Sequence, residues 1–153
     1  MKQIVLCGAC LVLGMMGIAR AQGGGEGVAN PGDLIIARQA GMDLQYAVGG
    51  DMKRAVAAKA DVRPYEDGAE AIAAWSKAIP GLFPPGTEKG HDTKAKPEIW
   101  SDRAGFEKAA ARLGDAAQAL TAAAKAGGQA AFATAFETTT KACAACHHEY
   151  ERK

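Results

Sequence analysis

Apolar positions recur at helical spacing in four stretches, and the breaks between them carry the turn-forming residues. Ile35, Met42, Gly49 and Val56 fall every seventh residue, with Leu34, Gln45 and Met52 alongside. That spacing predicts a first helix from about Asp33 to Lys59, entered through Asn30-Pro31-Gly32-Asp33, where Pro stands early and an acid sits in the first turn. Gly49-Gly50 lowers its helix stability by about 1 kcal/mol per Gly, so a second helix is expected to approach closely there. Arg63-Pro64 breaks the chain. Ile72, Trp75 and Ile79 share a face of a second helix that starts near Tyr65 and ends before Pro80-Gly81. Ser101-Asp102 caps a third helix, in which Phe106, Leu113 and Leu120 recur at seven with Ala109, Ala116 and Ala123 between. It stops at Gly127-Gly128. The fourth runs from about Gln129 to the end and lines up Phe132, Ala135, Thr139, Cys143, Cys146 and Tyr150 on one face. Thr138-Thr139-Thr140 forms helix poorly by itself, so packing must hold it. Arg152 and Lys153 suit the negative end of the helix dipole.

Between the second and third helices lies Leu82–Ile99, without helical spacing. A connection of that length inside a compact domain is functional or crosses the molecule. No stretch alternates with period two. The pattern predicts an all-α fold: an antiparallel four-helix bundle with one long crossover connection.

The start of the chain reads differently. Lys2 precedes an apolar run from Ile4 to Ile18, too short for a comfortable membrane span, which ends in Ala19-Arg20-Ala21. Residues 1–21 read as a secretory signal cleaved near Ala21/Gln22, against the alternative of a retained anchor. Gly-rich residues 22–32 read as a flexible segment, and residues 33–153 as the bundle domain. Cys7 and Cys10 lie inside the apolar run with no His after them and are given no function. Cleavage leaves about 132 residues, enough for one domain with a core. Losing Lys2 and Arg20 takes the formal charge from +1 to −1. That leaves no basic surplus for nucleic acid or an anionic membrane. Two cysteines remain, which excludes a disulfide framework.

Those two stand in Cys143-Ala144-Ala145-Cys146-His147, the C-x-x-C-H pattern of haem c attachment. Cysteines three apart lie one turn apart on one helix face. Both can form thioethers to the vinyl groups along one porphyrin edge, while His147 reaches the iron. The expectation is one covalent haem c per chain, seated between helices near the end of the fourth, its other face toward the first. The rival readings are weaker. A dithiol redox pair wants a thioredoxin-like surround. Zinc wants a fourth ligand, with only His148 and His91 left among the histidines. A disulfide across two helical residues is strained.

Arg38-Gln39-Ala40-Gly41-Met42, Leu82-Phe83-Pro84-Pro85-Gly86-Thr87-Glu88 followed by Pro97-Glu98-Ile99-Trp100, and the C-terminal Cys143–His147 motif together resemble cytochrome c′, the exported four-helix-bundle haem proteins of bacteria. The resemblance implies a periplasmic protein in which Cys143 and Cys146 carry the haem and His147 is the proximal ligand. It implies that Arg38 and Gln39 lie near the propionates, that Thr87 and Glu88 approach the haem edge, and that Met42 stands at the distal position. Members are typically homodimers packed through their first helices. Their five-coordinate iron binds nitric oxide and carbon monoxide, and oxygen is excluded. The sequence departs at Glu151, four residues after the proximal His, where the family usually has Arg or Lys. His148 falls about 100° around the helix and is expected to face solvent.

Met42 decides between two haem functions. As an uncoordinated apolar lid it leaves a gas site, which the Arg38-Gln39 pair and the Phe-Pro-Pro-Gly crossover favour by resemblance. As a sixth ligand it makes a low-spin electron carrier. The redox partner is unidentified in either case. A non-haem alternative is a small helical zinc or thiol protein. No nucleophile–base pair or acid cluster points to an enzyme.

Overall fold

The computed structural model describes residues 30–153. The expected signal at residues 1–21 and most of the segment 22–32 lie outside the described residues. The architecture is the expected all-α four-helix bundle, and its long helices fall where the periodicity put them. They are α1 (Pro31–Ala58), α2 (Glu66–Ala78), α4 (Arg103–Ala126) and α5 (Gln129–Tyr150), with a one-turn helix α3 (Glu98–Ser101) in the crossover. The crossover therefore holds a helix that its sequence spacing did not reveal; a four-residue helix is too short to carry a period.

Local chemistry fixes the ends. α1 begins at Pro31, two residues earlier than expected, because Asn30 Oδ1 accepts from the Gly32 N–H at 2.9 Å and Pro31 fills the first turn. α4 is capped at its start by Asp102, whose Oδ1 accepts from the Gly105 N–H at 3.1 Å, and at its end by Gly127 with φ 73°. The threonines of α5 donate back to carbonyls one turn earlier, Thr139 to Ala135 at 2.9 Å.

α4 is the central helix and packs against both α2 and α5. Its buried face carries Phe106, Leu113 and Leu120 with Ala109, Ala116 and Ala117, while Ala124, not Ala123, closes the stripe. Alanines there let three helices converge closely. Phe132 on α5 is fully buried and packs against Tyr65 and Phe136.

α1 differs from the expectation. Its buried residues are Ile35, Arg38, Gly41, Met52 and Ala55, whereas Met42 and Val56 are only partly covered. The close approach is not at Gly49-Gly50. Nothing lies within 4 Å of where a Gly49 Cβ would be, and only the Arg54 side chain nears Gly50. Gly41 is the contact point instead, with the Trp75 ring of α2 occupying the space a side chain would need.

The crossover is tied to the chain end. The Arg152 N–H donates to Lys94 O at 2.8 Å and the Lys96 N–H to Tyr150 O at 3.0 Å, on either side of an antiparallel bridge between Ala95 and Glu151. Lys96 Nζ donates to the carbonyls of His148 and Glu149 at 2.8 and 3.0 Å. Thus Lys96, from the crossover, satisfies the last turn of α5, and the Arg152 side chain turns away to Thr93 O at 2.6 Å.

Candidate functional site

Where α1, α5 and the crossover meet, the packing leaves a cavity of about 500 Å³. α1 contributes Arg38, Gln39 and Met42, which one turn of helix brings to a common face. α5 contributes Cys146, His147 and Tyr150. Ile79, Phe83, Ile99 and Phe106 make its walls largely apolar. Phe83 and Phe106 meet edge-on at 5.1 Å between centroids, as do Phe106 and Tyr150. This aromatic wall is fixed by packing and not free to fill the cavity.

Cys143 and Cys146 are free thiols, both half-buried, one turn apart on α5. Burial raises the pKa of both. Cys146 is pushed up to about 11, first by desolvation and then by neighbouring Cys143; Cys143 moves in the same direction. Cys146 and His147 line the cavity, and Cys143 packs against the core one turn earlier. The His147 side chain is half exposed, with Nδ1 3.4 Å from Glu151 Oε2. His148 is exposed, as expected.

Arg38 is 3% exposed, unusual for a cation. Its Nη1 donates to Leu82 O at 3.2 Å and Thr87 Oγ1 at 3.0 Å, and its Nη2 to Thr87 O and Thr93 Oγ1, both at 2.8 Å. Its Cζ stands 4.1 Å over the Phe83 ring. Every hydrogen-bond partner is neutral, and none of the ion pairs among the described residues includes Arg38. Burial lowers its pKa, against a smaller upward pull from Glu88. A buried cation on a cavity wall with only neutral partners favours an anion in that cavity.

Gln39 lines the cavity and donates to His91 O at 2.9 Å. Thr87 and Glu88 do not line it. Thr87 is buried and holds Arg38, and the Glu88 carboxylate accepts from the Gly86 N–H at 2.9 Å. Thr93 was missed by the sequence reading. Its hydroxyl accepts from Arg38 and its carbonyl from Arg152, so it joins α1 to the end of α5. A threonine in an aperiodic loop carries no signal of that. Among the described residues no group of three or more His, Cys, Asp or Glu is gathered to hold a metal ion.

A family model described as Cytochrome C′ matches residues 33–151. The chain belongs to the cytochrome c′ family. It is 37% identical over 125 residues to the cytochrome c′ of Rubrivivax gelatinosus, covering 80% of this chain and 97% of that one. The crystal structure of cytochrome c′ from Thermochromatium tepidum superposes with a TM-score of 0.76 at 33% identity, covering 81% of this chain and 98% of the other. A mutant cytochrome c′ from Alcaligenes xylosoxidans, solved as its nitric oxide complex, superposes at 0.74 with 34% identity, covering 82% and 98%. Cytochromes c′ carry covalently bound haem c, and the residues present fit it. Two free thiols and a histidine stand at helical spacing beside an apolar cavity, and a buried guanidinium on its wall has no carboxylate partner.

Proposed function

We propose that this chain is a periplasmic mono-haem cytochrome c′ that binds nitric oxide or carbon monoxide on a five-coordinate iron and passes single electrons. The observation that carries the reading is that Met42 of α1 and His147 of α5 line one cavity, whose walls between them are made largely apolar by Ile79, Phe83, Ile99 and Phe106. Bound haem supplies a redox-active iron with one coordination position to offer. The protein does the rest. Cys143 and Cys146 hold the group by thioethers. His147 is the proximal ligand. Arg38 offers its guanidinium to the propionates, and Gln39 anchors the crossover beside them. Met42, Phe83 and Phe106 keep the gas side dry, and Met42 acts as a displaceable lid whose soft side chain can shift rotamer.

One specific feature keeps a second reading in play. The Met42 thioether is itself a haem ligand type, and as sixth ligand it would make the protein a low-spin electron carrier.

Optical and electron-spin-resonance spectra of the purified protein, oxidised and reduced, before and after nitric oxide, separate the two. High-spin iron that takes up the gas is the expected result. Low-spin iron that turns high-spin in Met42→Ala makes Met42 a ligand and overturns the gas-binding reading. A colourless protein from a host with haem-attachment machinery overturns both and leaves the thiol reading.

The three large apolar side chains exposed among the described residues all lie on α1: Ile36 at 50%, Leu44 at 66% and Tyr46 at 86%. Ile36 and Leu44 share a face with exposed Ala40 and Ala47, spaced four, four and three apart, whereas Tyr46 points about 160° around the helix from Leu44. This stripe supports a homodimer packed α1 to α1.

A further inference from the structure

The Glu151 carboxylate has no role in the reading above, yet it is held beside the proximal histidine. Its backbone is fixed from both directions. The Glu151 N–H donates to His147 O at 3.0 Å, and the residue bridges Ala95, with Arg152 N to Lys94 O at 2.8 Å just beyond it. With the backbone held in this way, the half-exposed side chain places Oε2 3.4 Å from Nδ1 of the half-exposed His147. Of the four cationic residues that line a groove with Glu151, Lys94 and Lys153 form no ion pair among the described residues, and the other two are bound elsewhere. Lys96 Nζ is bound to the carbonyls of His148 and Glu149, and the Arg152 guanidinium donates to Thr93 O. Among the ion pairs of the described residues, His147 is the one partner Glu151 has.

A neutral histidine binds one iron through one nitrogen, and the proton on the other calls for an acceptor. A carboxylate in that place fixes the tautomer and the ring and makes the imidazole a more basic ligand. We propose that Glu151 is a positioning residue for the proximal ligand: it takes the Nδ1 proton of His147 in a hydrogen bond, leaves Nε2 for the iron, and increases the ligand's electron donation. This rests on the haem reading above. The anionic acceptor stabilises ferric over ferrous iron and strengthens the iron–histidine bond.

Glu151→Gln keeps the shape and removes the charge. Glu149→Gln removes a charge from the same turn without touching His147. Haem content by pyridine haemochrome comes first, since a haem-free protein overturns the site reading and this inference with it. In haem-loaded protein the expected result is that Glu151→Gln shifts the one-electron reduction equilibrium about tenfold toward ferrous iron, a rise of about 59 mV. The iron–histidine stretch of the ferrous five-coordinate form falls with it, and Glu149→Gln moves neither by a comparable amount. The midpoint potential reads out whichever way Met42 is disposed. An unchanged potential in haem-loaded Glu151→Gln overturns the inference while the site reading stands. Equal shifts in both variants also overturn it, because they reduce Glu151 to a through-space charge.

Discussion

Single residues set what the cavity can hold. The Cys143–His147 motif was legible because its meaning lies in helical spacing, which the sequence states directly. Its surroundings were not. Desolvation, which raises the Cys146 thiol to about 11, comes from packing against distant parts of the chain. The rise stabilises the protonated thiol in the folded state. For the haem-free chain that contribution is complete below about pH 9, and it is lost as pH climbs through about 11. Two results follow. The haem-free chain reacts with iodoacetamide slowly at pH 8, with a rate that rises steeply toward pH 11. On the proposed attachment, the haem-loaded chain takes up no label at Cys143 or Cys146 even when unfolded. Labelling of the unfolded holoprotein at either cysteine overturns double attachment. Arg38 makes the same point for polar groups. Its place near the cavity was inferred from resemblance, but its acceptors at Thr87 and Thr93 come from a loop without periodicity. Thr93→Val removes one hydroxyl acceptor and leaves a buried cation short of a partner. It should cost about 1–3 kcal/mol in denaturant unfolding, with a larger loss than Thr138→Val, whose hydroxyl only returns to Thr134 O on an exposed surface.

At the level of elements, the helices were legible where one face is buried in a continuous stripe. α4 and α5 satisfy this, since the residues expected on their inner faces are buried or half-buried, from Phe106 to Leu120 and from Phe132 to Tyr150. α1 was misread at its glycines for a physical reason. A glycine pair advertises permission for close approach, not its occurrence, and the approach happens at Gly41, where Trp75 has its ring. Gly41→Ala therefore overpacks α1 against α2. The expected loss is about 1–3 kcal/mol, read by thermal melting of the holoprotein. Gly49→Ala meets nothing within 4 Å and gains helix propensity, so it should stabilise by about 0.5–1 kcal/mol. If the two substitutions swap signs, the helix contact has been misplaced. Asp102→Ala is the matching test at a helix end: loss of the cap to Gly105 N should cost about 1 kcal/mol.

For the whole molecule, the bundle followed from four amphipathic stretches and short turns, and the crossover was recognised as something that crosses. How it is fastened was not legible, because backbone pairs such as Arg152 N to Lys94 O carry no side-chain signature. The outer surface raises the remaining question. Burying α1 on one side leaves Ile36 and Leu44 in water on the other. Small Ala40 and Ala47 on the face of Ile36 and Leu44 allow a second helix to come near. One apolar stripe repeated on an identical copy is self-complementary about a two-fold axis, the commonest closed symmetry. A charge in its middle would then be repeated across the axis and desolvated in both copies. Leu44→Glu is therefore expected to give a monomer by sedimentation equilibrium at concentrations where the parent chain is a dimer, with its haem spectrum unchanged because Leu44 does not line the cavity. Tyr46→Ala, about 160° around the helix from Leu44 and adding no charge, should weaken the dimer less. A parent chain that sediments as a monomer, or a Leu44→Glu variant that stays dimeric, removes the α1 stripe as the interface.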